Sequence, residues 1–201
     1  GVGLAGGRAE RMGGRGKGLL ALAGEPLIAH VIRRLQPQVV EVLIGANRNL
    51  DAYRRFGCRV IQDGERERFR GPLAGVLAAM LAAGTRYLLT APCDSPWLPP
   101  DYAQRMRQAL ERQRADLAVA FFKGFWQPMF ALVPVALWDD LASYLAGGEG
   151  SATRWLQRHQ PAPVEFPDES ALFDNVNTPA DLSRLESAWA IASCSSPEGR
   201  L

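Results

Sequence analysis

The chain is short of the residues from which metal cages, disulfide frameworks and membrane spans are built. Its three cysteines, Cys58, Cys93 and Cys194, stand apart with no C-x-x-C pair. That excludes a disulfide framework and a structural zinc site, and it points to a reducing compartment, the cytoplasm. The two histidines, His30 and His159, are isolated from each other, which excludes a histidine metal centre; both read as surface residues. No run approaches the roughly 18 apolar residues of a membrane span, and no secretory pattern opens the chain. A formal net charge of +2 is too small to indicate nucleic-acid or membrane-surface binding. Internal repeats and low-complexity tracts are absent as well.

What is present is the composition of an ordinary globular protein: 201 residues, 47% hydrophobic and 22% charged. That length suits one sizeable α/β domain, expected over residues 1–192, with a polar tail from 193 to 201 expected to be disordered. Gly1 to Ala5 reads as the end of a short buried strand entering a glycine-rich loop. Because the first motif begins at once and without a Met, further residues are expected ahead of Gly1.

Along the chain, Leu27, Ile28, Val31, Ile32 and Leu35 recur at helical spacing after Pro26. The run Val39 to Ile44 is β-branched and nearly continuous, so it predicts a buried parallel strand. A short helix over 51–56 and a strand over 59–62 lead to Asp63. Gly71-Pro72 opens an alanine-rich helix reaching Ala83, and 86–91 is the next strand, ending at Pro92-Cys93-Asp94. A charged helix starts near Pro100 and reaches Arg114, followed by strands over 117–122 and 129–133 and a helix over 134–145. This alternation predicts a single Rossmann-like, three-layer α/β domain with a mostly parallel sheet and helices on both faces. In such sheets ligands bind beyond the carboxyl ends of the strands, where the motifs of the first half fall.

Gly1-Val2-Gly3-Leu4-Ala5-Gly6 matches the dinucleotide pattern G-x-G-x-x-G, but it occupies the strand itself and no helix follows immediately. A Walker A loop is excluded because Arg11 stands where its first glycine is needed and Gly18 follows Lys17. Glycines among Arg8, Arg11 and Lys17 nevertheless suit a polyphosphate: backbone N–H groups can approach the anion, and the cations offset its roughly four charges; Arg8 and Arg15 read equally as solvent-exposed loop charge.

The stretch Leu4-Ala5-Gly6-Gly7-Arg8-Ala9-Glu10-Arg11-Met12-Gly13-Gly14-Arg15-Gly16-Lys17 resembles the signature L-A-G-G-x-x-x-R-M-G-x-x-x-K of the molybdenum cofactor guanylyltransferase family. Ala46-Asn47-Arg48, Val60 to Asp63, Gly71 to Gly75, Pro92 to Pro96 and Asn175 to Pro179 agree in order, so the resemblance spans about residues 1–185. It implies the nucleotide-diphospho-sugar transferase type of fold and transfer of GMP from GTP to the terminal phosphate of molybdopterin. Leu4, Ala5, Gly6, Gly7, Lys17, Asp63, Gly71 and Asp94 would contact GTP. Lys17 would neutralise phosphate, Arg11 would stabilise the pyrophosphate leaving group, and Asp94 would hold Mg²⁺ through oxygen ligation. Asp63 could accept hydrogen bonds from guanine N1–H and N2–H₂, or be a plain strand-end Asp. Asp94 could likewise be a turn former ahead of Pro96.

Gln127, Asn175 and Asn177 occupy places the family uses near the acceptor. Asn-Thr-Pro is equally a helix start, with Pro179 first and Asp181 in the first turn. Gly45 stands where the family often has a nucleotide-contacting Asn, for which Asn47 or a water could compensate. Partners implied are GTP and molybdopterin, with transient contact to molybdopterin-handling or molybdoenzyme-maturation proteins. The competing readings are a cytidylyltransferase on the same pterin, a sugar-phosphate nucleotidyltransferase, and a non-catalytic nucleotide-binding or delivery protein. Retention of Lys17 and Asp94 speaks against the last of these.

Overall fold

The computed structural model describes residues 1–5, 16–65, 71–166, 170–173, 176 and 178–195. A seven-stranded sheet runs through these residues. Its strands are β1 (Val2–Leu4), β4 (Leu43–Gly45), β5 (Arg59–Ile61), β6 (Tyr87–Pro92), β7 (Ala118–Phe122), β8 (Phe125–Pro134) and β9 (Ala162–Glu165). In spatial order they lie β5-β4-β1-β6-β8-β7-β9. All neighbours pair in parallel except β8, which is antiparallel to both β6 and β7. A separate hairpin joins β2 (Ala21–Leu22) to β3 (Glu25–Pro26).

Alternate residues of the strands feed two cores, as expected when both faces are covered. Ile44, Leu89, Ala118 and Leu132 face a core completed by α1 (Leu27–Leu35), Tyr53 on α2 (Leu50–Arg54) and α4 (Tyr102–Gln113). Leu43, Leu88, Val119 and Val133 face the other, with α3 (Pro72–Ala82), α5 (Trp138–Ala146) and α6 (Ala152–Gln157). The mostly parallel, three-layer expectation is met. The last helix, α7 (Pro179–Ser195), packs Leu185 on Leu22 and Leu27. Thr178 and Asp181 cap it reciprocally, each backbone N–H bonded to the other's side chain at 2.9 and 3.1 Å. It reaches into the polar tail, whose last residues, 196–201, lie outside the described ones.

Several local expectations are corrected. The strand expected over 39–44 is confined to Leu43–Gly45, and Val40 is 92% exposed. Gln38 holds that connecting segment elsewhere: its Nε2 donates to the Arg34 and Pro99 carbonyls, both at 2.8 Å, and its Oε1 accepts from Ala103 N–H at 2.9 Å. His30 is buried rather than on the surface, its Nε2 3.0 Å from the Leu22 carbonyl and its ring 4.5 Å from Trp189. The reason is that α7 covers a face of α1 that local spacing left open. His159 is half-buried, 3.0 Å from Asp140 Oδ2.

β8 begins at Phe125, four residues before the expected start, because Lys123 and Gly124, at φ 49° and 84°, make a two-residue hairpin turn with β7. Between the Val119–Ala131 and Ala120–Gln127 pairs the register jumps, leaving Pro128, Met129 and Phe130 without partners on β7. Thr90 of β6 holds this bulge. Its Oγ1 accepts from Ala131 N–H at 3.0 Å and donates to the Met129 carbonyl at 2.9 Å, with the Ala131 carbonyl at 3.3 Å.

Thr90→Val keeps the side-chain shape but strips the bulge of this hydroxyl. Since Thr90 is 1% exposed, the expected loss is about 1–3 kcal/mol of stability, seen as a lowered denaturation midpoint; an unchanged midpoint would mean that the bulge holds itself.

Candidate active site

The parallel ladder continues one residue past the strand ends on the carboxyl side. Ala5 N–H donates to Gly45 O at 2.7 Å, Ala46 N–H to Ile61 O at 2.9 Å and Cys93 N–H to Leu4 O at 3.0 Å. The chain therefore leaves β1, β4, β5 and β6 side by side, and the residues just beyond carry Asn47, Asp63 and Asp94. Lys17 reaches the same edge from a 3-10 turn, Lys17–Leu19.

Asp94 is 6% exposed, and its Oδ2 lies 3.3 Å from Lys17 Nζ. Burial holds the Asp94 carboxyl above the ordinary carboxylate range, while the ammonium pulls it partly back. A carboxylate kept so dry with a cation as neighbour is poised to take a second cation, and the Lys17 charge is then available to an anion. Cys93, beside it, is sealed: burial first, then the Asp94 charge, pushes its thiol far up, so it is inert at neutral pH.

Asp63, 7% exposed, is clamped by Asn47. Asn47 Nδ2 donates to Asp63 Oδ2 at 2.6 Å, and Asn47 Oδ1 accepts from Asp63 N–H at 3.0 Å. Both ends of the Asn47 amide thus hold Asp63. Gly45 is an ordinary strand residue, against which Leu4 packs. The Leu4 side chain also packs on Gly75 of α3, where a Cβ would meet Leu4 Cδ2 at 3.3 Å and Asp63 Oδ1 at 3.6 Å. Leu4 and Gly75 are therefore the floor beneath Asp63. Gly71 precedes α3 at φ 97°, a left-handed backbone that favours glycine.

A cavity of about 250 Å³ is lined by Lys17, Pro92, Asp94, Gln127, Pro128, Met129 and Phe130. Lys17, Asp94 and Gln127, expected on opposite halves of the reaction, thus share one wall. A larger cavity of about 860 Å³ lies at the amino ends of the strands, around Gly1, Glu41, Tyr87 and Arg107. Ligands of open α/β sheets bind at the carboxyl ends, and the buried carboxylates are there, so the smaller cavity marks the site. Gly6, Gly7, Arg8, Arg11, Arg15, Asn175 and Asn177 lie outside the described residues. Sequence reasoning missed the Asp63 clamp role of Asn47 and the support Thr90 gives to the β8 bulge at Met129 and Ala131. The clamp had one available signal, that both residues follow the ends of neighbouring strands.

Because the folded carboxyl of Asp94 titrates above the unfolded one, its contribution to stability is complete below about pH 4 and is lost as pH rises through the folded value. Asp94→Asn, which keeps the shape without the charge, is therefore expected to melt no lower than the parent at pH 7. The gap in its favour widens from pH 4 upward in scanning calorimetry. A parent that outlasts the variant at pH 7 would mean that the Lys17 pair outweighs the burial.

Residues 1–163 match the model of the MobA-like NTP transferase domain. The molybdenum cofactor guanylyltransferase of Shewanella amazonensis is 46% identical, over 92% of this chain and 94% of that one. Its counterpart from Burkholderia ambifaria is 48% identical, over 90% and 92%. Among solved structures, the molybdopterin-guanine dinucleotide biosynthesis protein A of Archaeoglobus fulgidus superposes with a TM-score of 0.76 at 23% identity, covering 94% of this chain and 98% of that one. The 2-C-methyl-D-erythritol 4-phosphate cytidylyltransferase of Thermus thermophilus does so at 0.67 and 17%, covering 94% and 98%, which shows the shared fold. With the matched domain covering most of its length and curated relatives this similar, the chain belongs to the MobA-like NTP transferase family.

Proposed function

We propose that this chain transfers GMP from GTP to the terminal phosphate of molybdopterin and releases pyrophosphate, making the guanine dinucleotide form of the molybdenum cofactor. The observation that carries the reading is the Lys17–Asp94 pair, 3.3 Å apart at the end of β6 in one cavity with Gln127. The names of relatives at 46% and 48% identity supply the nucleotide and the acceptor.

An acceptor phosphate oxygen attacks the α-phosphorus of GTP. The new P–O bond forms as the bond to the β-phosphate bridge breaks, and the electron pair leaves with pyrophosphate. Phosphate monoesters lose their second proton near pH 6, so no side-chain base is needed. Catalysis is positioning and charge neutralisation. Lys17 would neutralise phosphate, Leu4, Ala5 and Gly71 would contact the nucleotide, and the family resemblance gives Gly6 and Gly7 nucleotide contacts and Arg11 the role of stabilising the pyrophosphate leaving group. Asp63, held rigid by Asn47, presents its carboxylate to guanine. Gln127 is assigned to the acceptor from the cavity it lines, and Asn175 and Asn177 from the family resemblance alone.

Asp94 fits Mg²⁺. Magnesium is commonly held by one or two carboxylates together with substrate phosphates and waters rather than by a protein cage. Among the described residues no cluster of three or more His, Cys, Asp or Glu forms such a cage. Bound there, the ion would supply positive charge against the triphosphate. The reading places the protein in the cytoplasm, in transient contact with proteins that handle molybdopterin or mature molybdoenzymes, and without nucleic acid or membrane. Among the described residues no helix is long and apolar enough to cross a membrane, and Cys58 and Cys93 are free thiols.

The test is pyrophosphate release with Mg²⁺, molybdenum-loaded molybdopterin and each nucleoside triphosphate in turn. GTP alone is expected to react, and Asp94→Ala to lower the rate by roughly 10²–10³-fold. Preference for CTP would keep the mechanism and overturn the base assignment. GTP binding with no release from any nucleotide would make this a carrier rather than a transferase.

A further inference from the structure

The turn that carries Lys17 rests on a buried phenol. Tyr53 of α2 is 1% exposed, and its hydroxyl has no hydrogen-bond partner among the described residues. A buried tyrosine hydroxyl ordinarily finds one, because leaving it unpaired is costly. This one lies directly against the turn. A Cβ added at Gly16 would come within 2.8 Å of the Tyr53 hydroxyl oxygen, and one added at Gly18 within 3.1 Å.

Backbone conformation is not what requires glycine at these positions. Gly16 has φ −58° and ψ 138°, which any residue adopts, and Gly18 is not among the positive-φ glycines. What their missing side chains provide is room: for the phenol at both positions, and at Gly18 for Cys93 too, whose Sγ would lie 3.2 Å from an added Cβ. The hydroxyl thus faces the side-chain-free Cα positions on either side of Lys17. In the present arrangement Lys17 is drawn to Asp94. A triphosphate with its cation competes for both partners of that pair.

We propose that Tyr53 is a positioning residue for Lys17. Its hydroxyl hydrogen-bonds the backbone of the turn when Lys17 exchanges Asp94 for the phosphates, and so fixes the ammonium where the nucleotide needs it. This rests on the nucleotidyl-transfer reading and adds to it a residue that touches neither substrate.

The experiment is GTP affinity with Mg²⁺, by calorimetric titration, for the parent, Tyr53→Phe, Lys17→Ala and the double variant, with a melting point for each. Tyr53→Phe removes a polar group without a partner and keeps the ring, so it is expected to melt no lower than the parent. Its dissociation constant for GTP rises about five- to tenfold. Lys17→Ala weakens binding further, and the double variant matches Lys17→Ala alone, because the phenol acts through the ammonium. Gly16→Ala checks the geometry. In the parent its methyl collides with the hydroxyl and weakens binding. Combined with Tyr53→Phe, which leaves the ring Cζ at 3.8 Å as the nearest atom of that side chain, it fits and costs nothing further.

Parent-like GTP affinity in Tyr53→Phe would overturn this inference while leaving the functional reading intact. The same holds for a Tyr53→Phe effect that persists in full on Lys17→Ala. A parent that binds no GTP overturns both.

Discussion

Hydrogen bonds that carry the parallel ladder one residue beyond its strands set the geometry on which the site depends. Ala5, Ala46 and Cys93 each donate to a neighbouring strand end, so four chain segments leave the sheet in step. Parallel strands point their carboxyl ends the same way, and the crossover helices return the chain to the other end. Side chains one or two residues past the ladder therefore converge without any of them being in a regular element. Leu4 illustrates the constraint. Its carbonyl holds Cys93, its side chain fills the gap between Gly45 and Gly75, and the loop that follows starts from a fixed point.

The two buried carboxylates at this edge are stabilised in different ways, and the difference suits different tasks. Asp63 is gripped by a neutral amide through two hydrogen bonds. Those bonds fix the orientation of the carboxylate and leave its charge in place, which is what directional recognition of a base edge requires. Asp94 is faced by the ammonium of Lys17, a point charge on a flexible stem. On the proposed function such a pair is exchangeable: a metal ion would take over the carboxylate and a phosphate the ammonium, so that neither charge is left without a partner. The dry surroundings that hold the Asp94 carboxyl above its ordinary range also strengthen its attraction for a cation beside it, as for Lys17 here.

The parts of this molecule legible in its sequence are those whose surroundings are uniform. The run Tyr87 to Ala91 reads as a buried strand because neighbours cover both its faces, and α3 reads as a helix because Gly71-Pro72 opens it. β9 was not legible: Pro163 argues against a strand, and only its place at the sheet edge, paired solely with β7, tolerates the missing donor. α6 and the β2–β3 hairpin were also invisible, being too short to show a period. Val39 and Val40 misled, since β-branched residues look like strand whether or not a Gln38 anchors the segment elsewhere. His30 misled because its burial is supplied by α7, about 160 residues further on. At the site, Asp63 and Asp94 could be picked out since a strand end and a motif coincide at each, and Lys17 because it closes the glycine-rich signature. Tyr53 could not, because nothing in its own helix reveals a glycine turn resting on it.

On the proposed function, the reversal of β8 is what brings the acceptor side to the nucleotide side. Had β8 run parallel to β6, its first residues would lie at the far end of the sheet, more than a strand length from Asp94. Running antiparallel, it brings Gln127 and Pro128 to the carboxyl edge, and the tight turn at Lys123-Gly124 keeps them close behind β7. Reversal alone would still leave them flat in the sheet. The unpaired Pro128, Met129 and Phe130 bulge out to line the cavity with Lys17 and Asp94, and the backbone groups freed by the bulge need a partner. Thr90 provides it from within β6, the strand that leads directly into Asp94. One strand thus leads into Asp94 and, through Thr90, sets how far the β8 bulge stands over it; on the proposed function these are the triphosphate and acceptor sides, and a change of register at Thr90 would alter their separation.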